Sequence, residues 1–172
     1  MTIKVIKPPP KPITIPITKI ISGHQTGVDL GAIDAAMSLG VPTDGWVPKG
    51  RINEEGVIPA YYLVKEMPTA EYPPRTRANV QDSDMTLVIY RGTIGKGTEL
   101  TTKAADTQEK LLLMYNLNVE EKDNYASMIK ECVADLKGVV NIAGSRESGS
   151  PGIQNTTYEI VRRIILAQRG GK

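Results

Sequence analysis

Three short segments combine glycine with hydroxyl, amide or charged side chains, and each follows an apolar run. Ser22, Gly23, His24, Gln25, Thr26 and Gly27 come after Ile17, Ile20 and Ile21. Gly92-Thr93-Ile94-Gly95-Lys96-Gly97-Thr98 comes after Leu87-Val88-Ile89-Tyr90, and Gly144, Ser145, Arg146, Glu147 and Ser148 come after Val139-Val140-Asn141-Ile142. Glycine lets a ligand approach the backbone, and Ser, Gln and Thr add side-chain hydrogen bonds. Backbone N–H groups at a helix start bind phosphate and other anions. The chemistry on offer is therefore recognition of a phosphorylated small molecule.

Each segment also has a plainer reading. The first can be an ordinary strand-to-helix turn, and His24, a lone histidine, a hydrogen-bonded structural group. Gly95-Lys96-Gly97-Thr98 resembles part of a phosphate loop but lacks the full Gly-x-x-x-x-Gly-Lys-Ser/Thr pattern. Lys96 suits a phosphate contact and a solvated loop equally. Arg146 and Glu147 can form a surface ion pair that orders a loop. Two further stretches carry cations: Trp46-Val47-Pro48-Lys49-Gly50-Arg51, and Arg75-Thr76-Arg77-Ala78-Asn79. Arginine forks suit phosphate or carboxylate, although exposed helix arginines are common. Trp46 reads more readily as core than as a stacking platform.

The elements that must hold these residues follow from periodicity. Strands are expected at 17–21, 62–67, 85–90, 110–115 and 139–142, where β-branched and apolar residues run between turn signals. Helices are expected from Gly27 to Leu39, with Thr26 and Asp29 at capping-box spacing, and from Pro73-Pro74 to about Asp82. Further helices are expected over 98–107 and after Asp123. A last one follows Ser150-Pro151, which has N-cap and N1 chemistry. The βα alternation predicts an α/β, Rossmann-like, doubly wound and mainly parallel sheet with helices on both faces. In such a sheet the three turns emerge together at the carboxyl edge, where ligands bind. Residues 17–172 read as one domain, preceded by a Pro-rich tail over 1–16.

Composition sets outer limits. The chain has 172 residues, a net charge of +2, one cysteine and one histidine. One cysteine permits no intramolecular disulfide, and one histidine argues against a histidine zinc site, so no protein-ligated metal is expected. Cys132 falls on an apolar helical stripe and reads as packing. The basic residues are dispersed and aromatics make up 5%, which argues against nucleic-acid binding. No apolar run approaches a membrane span, and the N-terminus lacks the apolar core of a signal peptide. A cytoplasmic location is expected.

Together the stretches resemble a known family. They are Ser22–Asp29, Gly45–Gly50, Arg75–Val80, Asp82-Ser83-Asp84, Gly97-Thr98 with Leu100-Thr101, and Asn141–Ser148 with Pro151-Gly152. This ordered set is similar to the molybdenum cofactor carrier proteins, circularly permuted YpsA-like members of the LOG/DprA-type Rossmann superfamily. The resemblance spans roughly residues 17–166. It implies a Rossmann-like fold, homo-oligomers that are often tetramers, and the molybdopterin-type cofactor as bound ligand. It implies ligand contacts from Ser22 to Gly27, Lys49, Arg75, Asn79, Gly95 to Thr98, and Gly144 to Glu147. The family usually has glycine where this chain has His24, whose bulk is expected to narrow the pocket or add a contact.

The leading expectation is a non-catalytic carrier or binder. One alternative is a LOG-like phosphoribohydrolase acting on nucleoside monophosphates. Those enzymes carry Pro-Gly-Gly-x-Gly-Thr-x-x-Glu; here Gly97-Thr98 matches, but Thr101 stands at the glutamate position. Glycosidic cleavage uses a carboxylate there, leaving Glu99 and Glu147 as the acids near the turns. The other alternative is a nucleotide-sensing module working with a protein partner.

Overall fold

The protein is represented by a computed structural model that describes residues 16–170. The proline-rich stretch assigned to a tail lies outside the described residues, apart from Pro16. Five strands form the central sheet: β1 (Ile17–Ile21), β2 (Thr43–Asp44), β7 (Met85–Tyr90), β8 (Leu111–Asn116) and β9 (Gly138–Gly144). Their order is β2-β1-β9-β7-β8, and every pair is parallel. The insertion between β2 and β7 adds two small ladders. In one, β3 (Trp46–Val47) pairs with β6 (Lys65–Glu66); in the other, β4 (Ile52–Asn53) and β5 (Gly56–Val57) form a hairpin.

Side chains of a strand alternate between faces, and the burial follows that period. Ile20, Leu87, Ile89, Val140 and Ile142 join the main core with helices α1 (Val28–Ser38), α5 (Ala126–Asp135) and α6 (Ile153–Gln168). The other face carries Val88, Thr86 and Asn141, the last two hydrogen-bonded at 3.3 Å. There α2 (Tyr72–Gln81) and α3 (Lys96–Thr107) pack through a smaller cluster of Val80, Ala104 and Ala105 with Leu112 of β8. A short α4 (Leu117–Glu120) and one 3₁₀ turn link β8 to α5. The result is a Rossmann-like α/β fold: a parallel sheet between two helical layers.

Four local expectations are corrected. The 62–67 strand does not enter the central sheet; it contributes only Lys65–Glu66, beside Trp46–Val47. The fifth central strand is instead Thr43–Asp44, held by β1 through Ile20↔Thr43 and Ile21↔Asp44. The Thr26/Asp29 capping box does not form. Gly27 is the N-cap with no side-chain bond, because Thr26 and Asp29 are engaged elsewhere. Helix α6 starts at Ile153, two residues beyond Pro151, and it is Glu147 that accepts from Gly152 N–H at 2.6 Å and Gln154 N–H at 2.9 Å. Trp46 is half-buried on the surface rather than in the core, with Nε1 donating to Asp82 at 2.8 Å and the Lys65 ammonium 5.0 Å over its ring.

Candidate functional site

Because β1, β9 and β7 are neighbours running the same way, their following turns leave the sheet side by side at its carboxyl edge. The first and third turns dock backbone to backbone. Gly27 has φ +83°, and a side chain there would run into Ser145 O and the Glu147 amide. Val28 N–H donates to Ser145 O at 3.1 Å, and Glu147 N–H donates to Thr26 Oγ1 at 3.3 Å. Gly144 lies directly against Ile89 O of the adjacent strand. Glycine at these two positions is therefore demanded by backbone contact, and at Gly27 by φ as well.

The β4–β5 hairpin braces this pair of turns. Asn53 Nδ2 donates to His24 O at 3.0 Å, and Glu54 N–H donates to Gln25 Oε1 at 2.9 Å. The Glu54 carboxylate accepts from the Thr26 hydroxyl, from Ser148 Oγ at 2.7 Å and from Ser148 N–H at 3.3 Å, and lies 3.9 Å from Arg146. Burial alone would raise its pKa, but these donors and the Arg146 charge outweigh it and hold the carboxyl below its ordinary range.

Between the turns and the α2–α3 layer runs a cleft with two lobes. The inner lobe, about 260 Å³, is lined by Gln25, Asp29, Tyr72, Pro73, Arg75, Thr76, Leu100, Thr101 and Ala143. The outer lobe, about 420 Å³, is lined by Arg91, Thr93, Gly95, Ser145, Ser148, Gly149 and Ser150. Lys96, Gly97, Thr98, Gly144 and Arg146 border both. The first turn of α3 opens onto both lobes through Lys96, Gly97 and Thr98, bringing the unpaired N–H groups of a helix start.

Charge differs between the lobes. In the inner one, Arg75 lies 3.6 Å from Asp29, with side chains 11% and 6% exposed. Burial pushes the Asp29 carboxyl above its ordinary range while Arg75 pulls it back; burial likewise lowers Arg75 while Asp29 supports its charge. We take the pair as ionised, since each partner offsets the other's desolvation and Asp29 also accepts from Gln25 N–H at 3.2 Å. Tyr72 stands near two guanidinium groups, Arg75 at 5.2 Å and Arg146 at 5.5 Å from its ring. The outer lobe has Arg91, Lys96 and Arg146 on its lining and no carboxylate among those residues.

The expected site residues fall into several groups. Gln25, Arg75, Gly95, Lys96, Gly97, Thr98, Gly144, Ser145 and Arg146 line the cleft. Ser22, Gly23, Thr26 and Gly27 shape its floor without lining it: Ser22 Oγ accepts from His24 N–H at 3.0 Å, and Gly23 leaves room for the Arg75 guanidinium. Glu147 caps α6 instead of facing either lobe. Asn79 is also away from the cleft, with Oδ1 accepting from Trp46 N–H at 2.7 Å and Nδ2 donating to Trp46 O at 3.0 Å. Lys49 is exposed and lines neither lobe.

His24 neither narrows the cleft nor lines it. Its φ of +54° explains why glycine suits the position, and its ring is fully buried, edge-on to Tyr62 at 5.6 Å. Burial lowers its pKa from 6.5 to about 4, so the imidazole is neutral.

Sequence reasoning missed Asp29, Tyr72, Thr76, Thr101 and Glu54 as site residues. Asp29, Thr76 and Thr101 lie inside the stretches singled out, and Tyr72 is three residues before Arg75, the spacing that places two side chains on one helix face. Glu54 carried no signal, since it sits in a Gly/Pro-rich insertion. Among the described residues no group of three or more His, Cys, Asp or Glu side chains is placed to hold a metal ion.

No curated protein matches the chain. A solved structure from Syntrophus aciditrophicus SB, named "Putative molybdenum carrier protein", is 41% identical, with a TM-score of 0.80; the match covers 87% of this chain and 95% of that one. The model of the circularly permutated YpsA SLOG family matches residues 20–165, which include all three turns and both lobes of the cleft. The chain thus belongs to the circularly permuted YpsA family of SLOG proteins.

Proposed function

We propose that this chain is a non-catalytic carrier, cytoplasmic and homotetrameric, whose cleft binds the molybdenum cofactor of the molybdopterin type through its phosphate. The observation that carries this reading is the outer lobe, where Arg91, Lys96 and Arg146 meet the start of α3 among glycines and hydroxyls with no lining carboxylate. Such a surface attracts a phosphate ester by charge and by N–H donation. The name of the Syntrophus protein supports the choice of cargo.

A binding role fits the acids better than hydrolysis does. Glu99 is exposed and lines neither lobe, and Glu147 is occupied at the start of α6. Thr101, at the position of the enzyme's glutamate, lines the inner lobe with its hydroxyl donating to Gly97 O at 3.1 Å. The lining carboxylate, Asp29, is committed to Arg75 and Gln25 N–H. Cys132 is buried on α5, and burial pushes its thiol up to about 12.

The test is mass spectrometry of small molecules released by denaturing protein purified from its own host. A pterin phosphate bound near one per chain is the expected result; its absence overturns the cargo. Incubation with AMP is the companion assay, and release of free adenine overturns the carrier role.

A further inference from the structure

Within the inner lobe, two buried donors have no partner. The Gln25 amide is oriented by its oxygen, which accepts from Thr26 N–H at 3.1 Å and Glu54 N–H at 2.9 Å. Its Nε2 is left unpaired in a residue only 5% exposed, and Nε of Arg75, another residue of the same lining, is unpaired as well. A buried donor without an acceptor is costly, so a ligand atom that accepts is favoured there. The lobe's hydroxyls have the opposite character. Thr76 donates to Tyr72 O at 3.3 Å and Thr101 to Gly97 O at 3.1 Å, leaving both oxygens as acceptors.

Charge fixes which end of a ligand goes where. Lys96 and Arg146 border both lobes; beyond them the inner lobe adds only the self-compensating Arg75–Asp29 pair, and Tyr72, Pro73 and Leu100 give it apolar surface. The outer lobe adds Arg91 and has no carboxylate on its lining. An ester therefore places its phosphate outside and its ring inside.

We infer that the inner lobe reads the lactam edge of a heterocycle, a ring carbonyl beside a ring N–H, so that the chain selects oxo-ring phosphates over 6-aminopurine phosphates. Gln25 Nε2 donates to the carbonyl and the threonine oxygens accept from the N–H. Adenine offers an amino group where the carbonyl belongs, setting donor against donor. Guanine and pterins share the lactam edge. This inference rests on the phosphate-binding reading above and adds the ring chemistry and its orientation.

The experiment is calorimetric titration of the full chain with GMP, neopterin monophosphate, AMP and inorganic phosphate. At least one oxo-ring phosphate is expected to bind about tenfold or more tightly than AMP, and the tighter of the two names the source of the ring. Gln25→Glu keeps the accepting oxygen and removes the donor; it is expected to bring the ratio to AMP within about threefold. Arg146→Ala is expected to weaken all the esters alike and leave the ratio standing. Equal binding of oxo-ring and amino-ring esters, or no binding of either ring while inorganic phosphate binds, overturns this inference alone. No binding of inorganic phosphate or of any ester overturns the phosphate-binding reading beneath it. If Gln25→Glu does not fold, the wild-type ratio decides.

Discussion

His24 and Gly27 sit three residues apart in one turn with left-handed backbone, yet they tolerate change differently. At Gly27 a methyl group meets the third turn's backbone as well as an unfavourable φ of +83°. Gly27→Ala is expected to destabilise the protein by at least about 2 kcal/mol, read as a fall in denaturant midpoint. A midpoint equal to the parent's would mean that the two turns are not in contact. At His24 the issue is protonation. Unfolded, the imidazole takes up a proton near pH 6.5; folded, it does so only near 4. Between those values the unfolded chain binds more protons, so stability declines as pH falls through the window and levels off below it. Asparagine accepts the left-handed backbone without an ionisable ring. His24→Asn is expected to flatten the stability profile between pH 6.5 and 4, by up to roughly 3 kcal/mol. Parallel slopes for the two proteins would refute this.

At the scale of elements, Glu147 belongs to α6. Its carboxylate accepts from two N–H groups of the helix start, work that side chains at an N-cap normally do. Glu147→Ala is expected to cost about 1 kcal/mol, lowering Tm by about 2–4 °C, while phosphate affinity stays within about twofold. An unchanged Tm with lost phosphate affinity would return Glu147 to the site. Ser150-Pro151 signalled the helix start two residues early, with Gly152 as the actual N-cap, and the capping acid carried no signal because it lies in the preceding turn, outside the N-cap–N3 spacing. Strand β7 was read to the residue, since Met85–Tyr90 is a run of apolar and β-branched residues bounded by turn signals. Strand β2 was invisible for the opposite reason. Two residues, Thr43 and Asp44, have no period of their own, and only pairing with β1 makes them a strand. The site followed the same division. Residues in glycine turns after strands were found, whereas Glu54 reaches the cleft from an insertion whose path is set by tertiary contacts.

For the whole molecule, the parallel order of the sheet brings three separate sequence motifs to the border of one cleft. Self-association adds a further level. The proposed tetramer is expected to persist at micromolar concentration, and light scattering that gives a monomer mass there would remove it. Strand β8 is the natural place to look. It is an edge of the sheet, its Leu111 is 64% exposed, and Val119 just beyond it is 57% exposed. Long apolar edges of this kind are usually covered.

The two walls of the cleft are anchored in different cores. Gln25, Asp29, Gly144 and Arg146 lie in or next to α1 and β9, which pack into the large cluster with α5 and α6. Tyr72, Arg75, Thr76 and Thr101 ride on α2 and α3, whose own cluster is Val80, Ala104 and Ala105 with Leu112. Regions with few buried apolar contacts open locally at lower free energy than those built on a large core. Amide hydrogens of α2 and α3 are therefore expected to exchange with deuterium well before those of α1 and α6, and to slow when the cleft is filled. A ligand would then enter by parting the weaker wall from the stronger one, and its residence time would report the stability of a helical pair rather than the strength of any single ion pair.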